Sequence, residues 1–205
     1  MTVQIADRLG RIQPSQSLGI TQRAAELSAE GRDVIPLALG EPDFPTPSHV
    51  QEAAIDAIAR GETKYTPVHG TPEVRAAIQE KFRRENGLEY GLNEIAVSCG
   101  GKQIVYNALM ATLNPGDEVI VPAPYWVSYP DITVLAEGTP VVVECPAAAG
   151  FRLQPEQLEA AITPRTRWLI LNSPSNPTGA AYSADELAAL SEVLLEHPQV
   201  AILSD

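Results

Sequence analysis

Beyond residue 93 the chain alternates short unbroken apolar runs with amphipathic stretches. The runs fall at 94–98, 118–122, 140–144, 167–172 and 200–204, and the helical patterns between them at 101–113, 126–136, 155–162 and 184–196. Apolar runs without polar alternation predict strands covered on both faces, and helices between them predict βαβ units. The expected fold is therefore α/β, a mostly parallel sheet with helices on both faces.

The first half reads differently. Leu18, Ile20, Ala24, Ala25 and Leu27 follow a helical period that Gly31 stops, after residues 1–16, which are polar and irregular, with Pro14 and Ser15 suggesting an arm. A short extended run, 34–39, ends in Gly40-Glu41-Pro42-Asp43-Phe44-Pro45-Thr46-Pro47, where three prolines exclude a regular element. Thr46 is expected to cap a helix with Pro47 in its first turn, closing at Gly61, and Thr71-Pro72 to open another that runs to Gly87. Asn114-Pro115-Gly116-Asp117 predicts a turn before the run at 118, and Ser183 with Glu186 has capping-box spacing.

In an open parallel sheet ligands bind beyond the carboxyl ends of the strands, so the residues that follow each run carry the candidate chemistry. After 94–98 come Gly100, Gly101, Lys102 and Gln103 at the start of a helical pattern, where first-turn amides and the helix dipole favour an anion. The run at 118–122 is followed by Tyr125 and Trp126, that at 167–172 by Asn176 on a proline-rich loop, and that at 200–204 by Asp205. Taken singly, Gly-Gly is an ordinary turn, Trp126 a packing residue, Asn176 a turn former and Asp205 a helix cap. Jointly they match one ligand type: an aromatic ring with a phosphate arm, a phenolic oxygen and a protonated ring nitrogen, as in pyridoxal phosphate.

Composition narrows the partners. A net charge of -12 disfavours nucleic acid and anionic membrane, both of which need a basic surface. Cys99 and Cys145 lack metal-ligand spacing and read as buried thiols. With no signal-like N-terminus and no apolar run long enough to span a bilayer, a cytoplasmic enzyme is expected.

Leu39-Gly40-Glu41-Pro42-Asp43-Phe44, Lys64-Tyr65-Thr66-Pro67, Gly100-Gly101-Lys102-Gln103, Pro124-Tyr125-Trp126-Val127-Ser128-Tyr129 and Asn172-Ser173-Pro174-Ser175-Asn176-Pro177-Thr178-Gly179 resemble the ordered motif set of class I aminotransferases. They are most similar to those of the bacterial aspartate/prephenate aminotransferases. The resemblance covers essentially the whole chain, and it is the order of the motifs that makes it specific. It implies the fold type I architecture of pyridoxal phosphate enzymes, with residues 1–45 as an N-terminal arm and small-domain segment and 46–205 as an incomplete cofactor-binding large domain. By resemblance, Gly101 and Lys102 give backbone amides to the cofactor phosphate, with Gln103 in the same helix start. Trp126 stacks on the ring, Asn176 bonds its phenolic oxygen and Asp205 pairs with its nitrogen. Gly40, with Trp126 and Asn176, lines the substrate site, and Tyr65 reaches the cofactor phosphate of a neighbouring subunit, which implies a homodimer. The substrates implied are an amino acid and a 2-oxo acid.

The family's Schiff-base lysine lies beyond the position of Asp205, as does the arginine that clamps the substrate α-carboxylate. Neither Lys64 nor Lys102 matches the lysine's motif. Lys102 could meet a distal substrate carboxylate or simply face solvent. The chain is expected to be the N-terminal half of an aminotransferase, inactive and poorly folded alone. Family members that accept prephenate tend to carry a basic or threonine residue before the early Pro-Ser. Gln13 stands there, with Arg11 nearby, so aspartate is the expected substrate before prephenate. Other readings are a β-elimination lyase on the same scaffold and a noncatalytic fragment that dimerises with a full-length relative. A nucleotide-binding Rossmann domain lacks its G-x-G-x-x-G here.

Overall fold

A computed structural model describes residues 3–12, 16–37 and 40–205. Gln13, Pro14, Ser15, Ala38 and Leu39, which figure in the expectations above, lie outside the described residues. The chain forms two compact units, residues 15–99 and residues 100–205, the second with the N-terminal residues up to 14. These bounds differ from the division at 45 drawn from the motifs.

The first unit carries α1 (Gln16–Ala29), α2 (Ser48–Ala59) and α3 (Pro72–Lys81). Thr71 caps α3 as its sequence predicts, accepting from the Val74 amide, and Gly87 ends the following π turn at a φ of 65°. Thr46 does not cap α2. Pro47 occupies the N-cap with no side-chain bond, and the Thr46 carbonyl instead accepts from the Gln51 amide group.

The run at 94–98 is not a strand. Its first residue ends a short 3₁₀ turn, Leu92–Glu94; Ile95 is extended, and residues 95–98 have no ladder partner among the described residues. Several of their backbone groups are taken otherwise: the Val97 amide donates to the His69 carbonyl at 3.1 Å, and Arg75 Nε to the Ile95 carbonyl at 3.1 Å. Apolar character was enough to suggest a strand, but a strand needs a neighbour.

The second unit contains α4 (Gly101–Thr112), β1 (Glu118–Ala123), α5 (Ser128–Leu135), β2 (Thr139–Glu144), α6 (Pro155–Ala161), β3 (Thr166–Leu171), α7 (Ala184–Leu195) and β4 (Ala201–Ser204). The four strands are parallel in the order β2-β1-β3-β4. Alternation along β1 divides the core. Val119 and Val121 face α4 and α5, packing with Val105, Leu109, Tyr129 and Ile132, whereas Ile120 faces α6 and α7 with Leu158, Leu169 and Leu190. Helices on both faces explain why the two inner strands, β1 and β3, carry no polar alternation; β2 and β4 are more exposed.

Two local features fix the frame. Ser183 and Glu186 form the expected capping box on α7. At the foot of β1 the buried Glu118 carboxylate accepts from Thr163 at 2.5 Å and from Arg165 at 2.7 Å. These bonds, Thr163's foremost, hold Glu118 below its ordinary value of 4.5. Depression in the folded state means that Glu118 stabilises above its unfolded value and that the contribution is lost as pH falls through the lower, folded one. The stability gap between wild type and Glu118→Gln should therefore be full near neutrality and shrink as pH drops below 4.5, measured by thermal unfolding. A gap independent of pH would contradict this account.

Candidate cofactor site

Leaving β1, the chain crosses through α5 to β2 on one side, then returns through α6 on the other face to β3 on β1's opposite side. The carboxyl ends of β1 and β3 thus flank a topological switch point, where the two diverging loops leave a crevice. A cleft of about 300 Å³ is lined by Gly101, Lys102, Trp126, Tyr129, Asn172, Asn176 and Asp205. Five residues chosen from sequence meet in it, joined by two that were not.

Each wall has a local cause. Gly100 caps α4 at φ 89°, a conformation that favours glycine, and nothing lies within 4 Å of where a Cβ on Gly100 or Gly101 would stand. The first-turn amides of Gly101 and Lys102 precede the first intrahelical bond, and the helix start above them is open. The Gln103 backbone amide donates to the Gly100 carbonyl at 3.2 Å, and Gln103 is not among the residues lining the cleft. The Lys102 ammonium lies 5.0 Å from the Trp126 ring centroid, within cation–π range.

Trp126 stands just before α5, partly buried against the core cluster, and meets Tyr129 edge to face at 5.2 Å and 83°. The loops carrying Trp126 and Asn176 contain cis peptide bonds at Ala123–Pro124, Ser173–Pro174 and Asn176–Pro177. Asn172 ties the Asn176 loop to β4: its Oδ1 accepts from the Asn176 amide at 2.7 Å, and its Nδ2 donates to the Asp205 carbonyl at 2.8 Å. Asp205 is further held by its own amide, which donates to the Leu171 carbonyl at 3.0 Å.

Tyr129 is the buried member of the group, 2% exposed, and its hydroxyl donates to Asp205 Oδ2 at 2.5 Å. Burial pushes the phenol well above its ordinary value, and the Asp205 bond and charge act in the same direction, so it remains a donor at physiological pH. Sequence reasoning missed Tyr129 and Asn172 as site residues although both stand in the quoted motifs. A polar residue one turn from Trp126 on the same helix start is the signal that could have found Tyr129.

Gly40 and Tyr65 belong to the other compact unit, both in loops, with the Tyr65 side chain fully exposed. Of the cysteines, Cys145 is buried as expected, whereas Cys99, at the bend before α4, is exposed; neither is in a disulfide.

Chemically the cleft combines anion-binding amides with a cation, an indole face, an amide side chain and a carboxylate. Residues 32–205 match the family model described as aminotransferase class I and II. The chain is 64% identical over 201 residues to the aspartate/prephenate aminotransferase of Cereibacter sphaeroides, covering 98% of this chain and 50% of that protein. It is 61% identical over 202 residues to the aspartate aminotransferase of Rhizobium meliloti, covering 98% and 49%. The crystal structure of the Rhizobium meliloti enzyme superposes with a TM-score of 0.95 at 60% identity, over all of this chain and 51% of that one. The Thermus thermophilus aspartate aminotransferase with maleate gives a TM-score of 0.95 at 48% identity, over 100% and 53%. The chain spans about half the length of the relatives it matches and corresponds to their N-terminal half. On sequence and fold it belongs to the class I and II aminotransferases.

Proposed function

We propose that this chain forms the cofactor platform of a pyridoxal phosphate-dependent aminotransferase that moves an amino group between aspartate or glutamate and a 2-oxo acid. The observation that carries the reading is the convergence of Gly101, Lys102, Trp126, Asn176 and Asp205 on one cleft. The donor set fits pyridoxal phosphate group by group, and about 300 Å³ is at the lower end of the ~300–1,000 Å³ typical of small-molecule sites. Bound there, the cofactor supplies an electron sink for bonds at the substrate α-carbon.

The residues divide the remaining work. Amides at Gly101 and Lys102, with the positive end of α4, hold the phosphate. Trp126 supplies a flat apolar face, Asn176 a donor to the phenolic oxygen, and Asp205 an anion that keeps the ring nitrogen protonated. Gly40 contributes to the substrate pocket and Tyr65 to the phosphate site of a second copy, so the complete enzyme works as a homodimer. Residues 1–45 act as arm and small-domain segment and 46–205 as the large-domain portion. Aspartate leads as donor, and the names of the relatives add prephenate as a 2-oxo acid to assay. Among the described residues no helix is long and apolar enough to cross a membrane, and we place the enzyme in the cytoplasm.

The lysine that bonds the cofactor is assigned to the half of the enzyme that these 205 residues do not cover. The complete protein should transfer amino groups from aspartate in a strictly 2-oxo-acid-dependent reaction, and the 205 residues alone should not exceed the rate of free cofactor. Measured transfer by the 205 residues would remove the division of labour. Elimination from cysteine conjugates without any 2-oxo-acid requirement would replace the reaction itself.

A further inference from the structure

We propose that Tyr129 is the positioning residue for Asp205, and through it for the ring-nitrogen end of the site. The inference rests on the cofactor reading above and adds a residue to it.

Three constraints fix the phenol. Its ring packs in the cluster with Val105, Leu109, Val121 and Ile132, and its edge meets Trp126. The start of α5 is closed beneath it by the Tyr129 amide donating to the Trp126 carbonyl at 3.0 Å, and Thr133 Oγ1 donates to the Tyr129 carbonyl at 2.9 Å. The hydroxyl has one proton to give and meets an acceptor-only group, so the direction of the bond is set.

Asp205 needs such a constraint. Its backbone is tied to β3, but a carboxylate held only through its backbone can still rotate about two side-chain bonds. Fixing Oδ2 removes that freedom and leaves Oδ1, which has no hydrogen-bond partner among the described residues, for a protonated ring nitrogen. The phenol end of the bond is buried in a packed apolar cluster, while Asp205 is open to the cleft. One buried side chain thus registers both the indole that faces the ring and the carboxylate that meets its nitrogen. Orientation by an outer hydrogen bond is the logic by which supporting residues tune metal ligands.

The test uses the complete protein, wild type and Tyr129→Phe, with pyridoxal phosphate labelled with ¹⁵N at the ring nitrogen. Phenylalanine keeps the ring and its packing and removes only the hydroxyl. Tyr129→Phe should bind the cofactor about tenfold more weakly, the loss expected for a hydrogen bond to a charged group. Its ¹⁵N resonance should move from the protonated towards the unprotonated position, a change that loss of packing alone does not produce. An unchanged resonance with affinity within about twofold of wild type would overturn the proposal. Should the variant fail to fold, a ¹³C label at Tyr129 Cζ in the wild type decides. It should shift on addition of pyridoxal phosphate and stay in place with inorganic phosphate, which reaches only the anchor, and an unmoved label under both counts against the role. If the wild type binds no pyridoxal phosphate, the cofactor reading falls and this inference with it. If wild type binds and Tyr129→Phe matches it, only this inference falls.

Discussion

Asp205→Asn in the complete enzyme is expected to slow amino transfer by about 10²–10³-fold, the size of effect seen when one preorganised electrostatic contact is removed, while the cofactor, its binding weakened at least as much as in Tyr129→Phe, is still retained by its other contacts. Asparagine preserves the volume, and its amide oxygen can still accept from the Tyr129 hydroxyl, so the cleft keeps its shape. Only the negative charge is lost, and with it the group that holds the ring nitrogen protonated. Retention follows because the phosphate anchor at Gly101 and Lys102 and the Trp126 face lie on other elements, α4 and the loop after β1. Single-turnover rates with aspartate, together with cofactor content after gel filtration, separate the two quantities. A rate within about threefold of wild type would remove Asp205 from the chemistry. Loss of cofactor with the rate per bound cofactor unchanged would make it a binding residue only.

The strands that pair, β1 to β4, were legible in the apolar runs: β1 and β3 are covered by helices on both faces, while β2 and β4, more exposed at the sides of the four-stranded sheet, keep the same apolar character. The run at 94–98 looked identical by that criterion and forms no strand. Hydropathy reports that a segment can be buried; it does not report whether a neighbour exists to take its amides, and here His69 and Arg75 take the backbone groups of Val97 and Ile95. The α2 cap failed for a comparable local reason, with Pro47 displacing Thr46 from the N-cap.

Within the site, Trp126, Asn176 and Asp205 were readable because each follows a strand's carboxyl end. That they share one cleft depends on the order β2-β1-β3-β4, in which β3 returns past β1, and no local pattern encodes that order. Tyr129 escaped notice for a related reason. It reads as an ordinary core aromatic at a helix start, and its partner Asp205 is 76 residues away in sequence. Asn172 is likewise half of a strand end, distinguished only by the two loops its amide spans.

Leu109→Ala should cost the complete protein about 2–5 kcal/mol, the range for deleting a fully buried leucine side chain. Leu109 is 0% exposed in the cluster that joins α4 and α5 to β1, and it does not itself line the cleft. At the scale of a 150–250-residue domain each kcal/mol moves Tm by about 2–4 °C, so the midpoint should fall by roughly 4–20 °C. Leu109→Met, which conserves volume, should cost less than about 1.5 kcal/mol, and Leu195→Ala, at a position 78% exposed, should stay within about 0.5 kcal/mol of wild type. A functional consequence follows from where α4 begins. Its first turn is the proposed phosphate anchor, and the helix is fixed to the sheet through Val105 and Leu109 alone among its fully buried residues. Cofactor should therefore be released at a lower temperature in Leu109→Ala than in Leu109→Met, in step with unfolding, even though residue 109 contacts neither phosphate nor ring. Thermal melts followed in parallel by tryptophan fluorescence and by cofactor absorbance would show it. A Leu109→Ala protein that melts with wild type would mean that α4 is held by contacts other than this core.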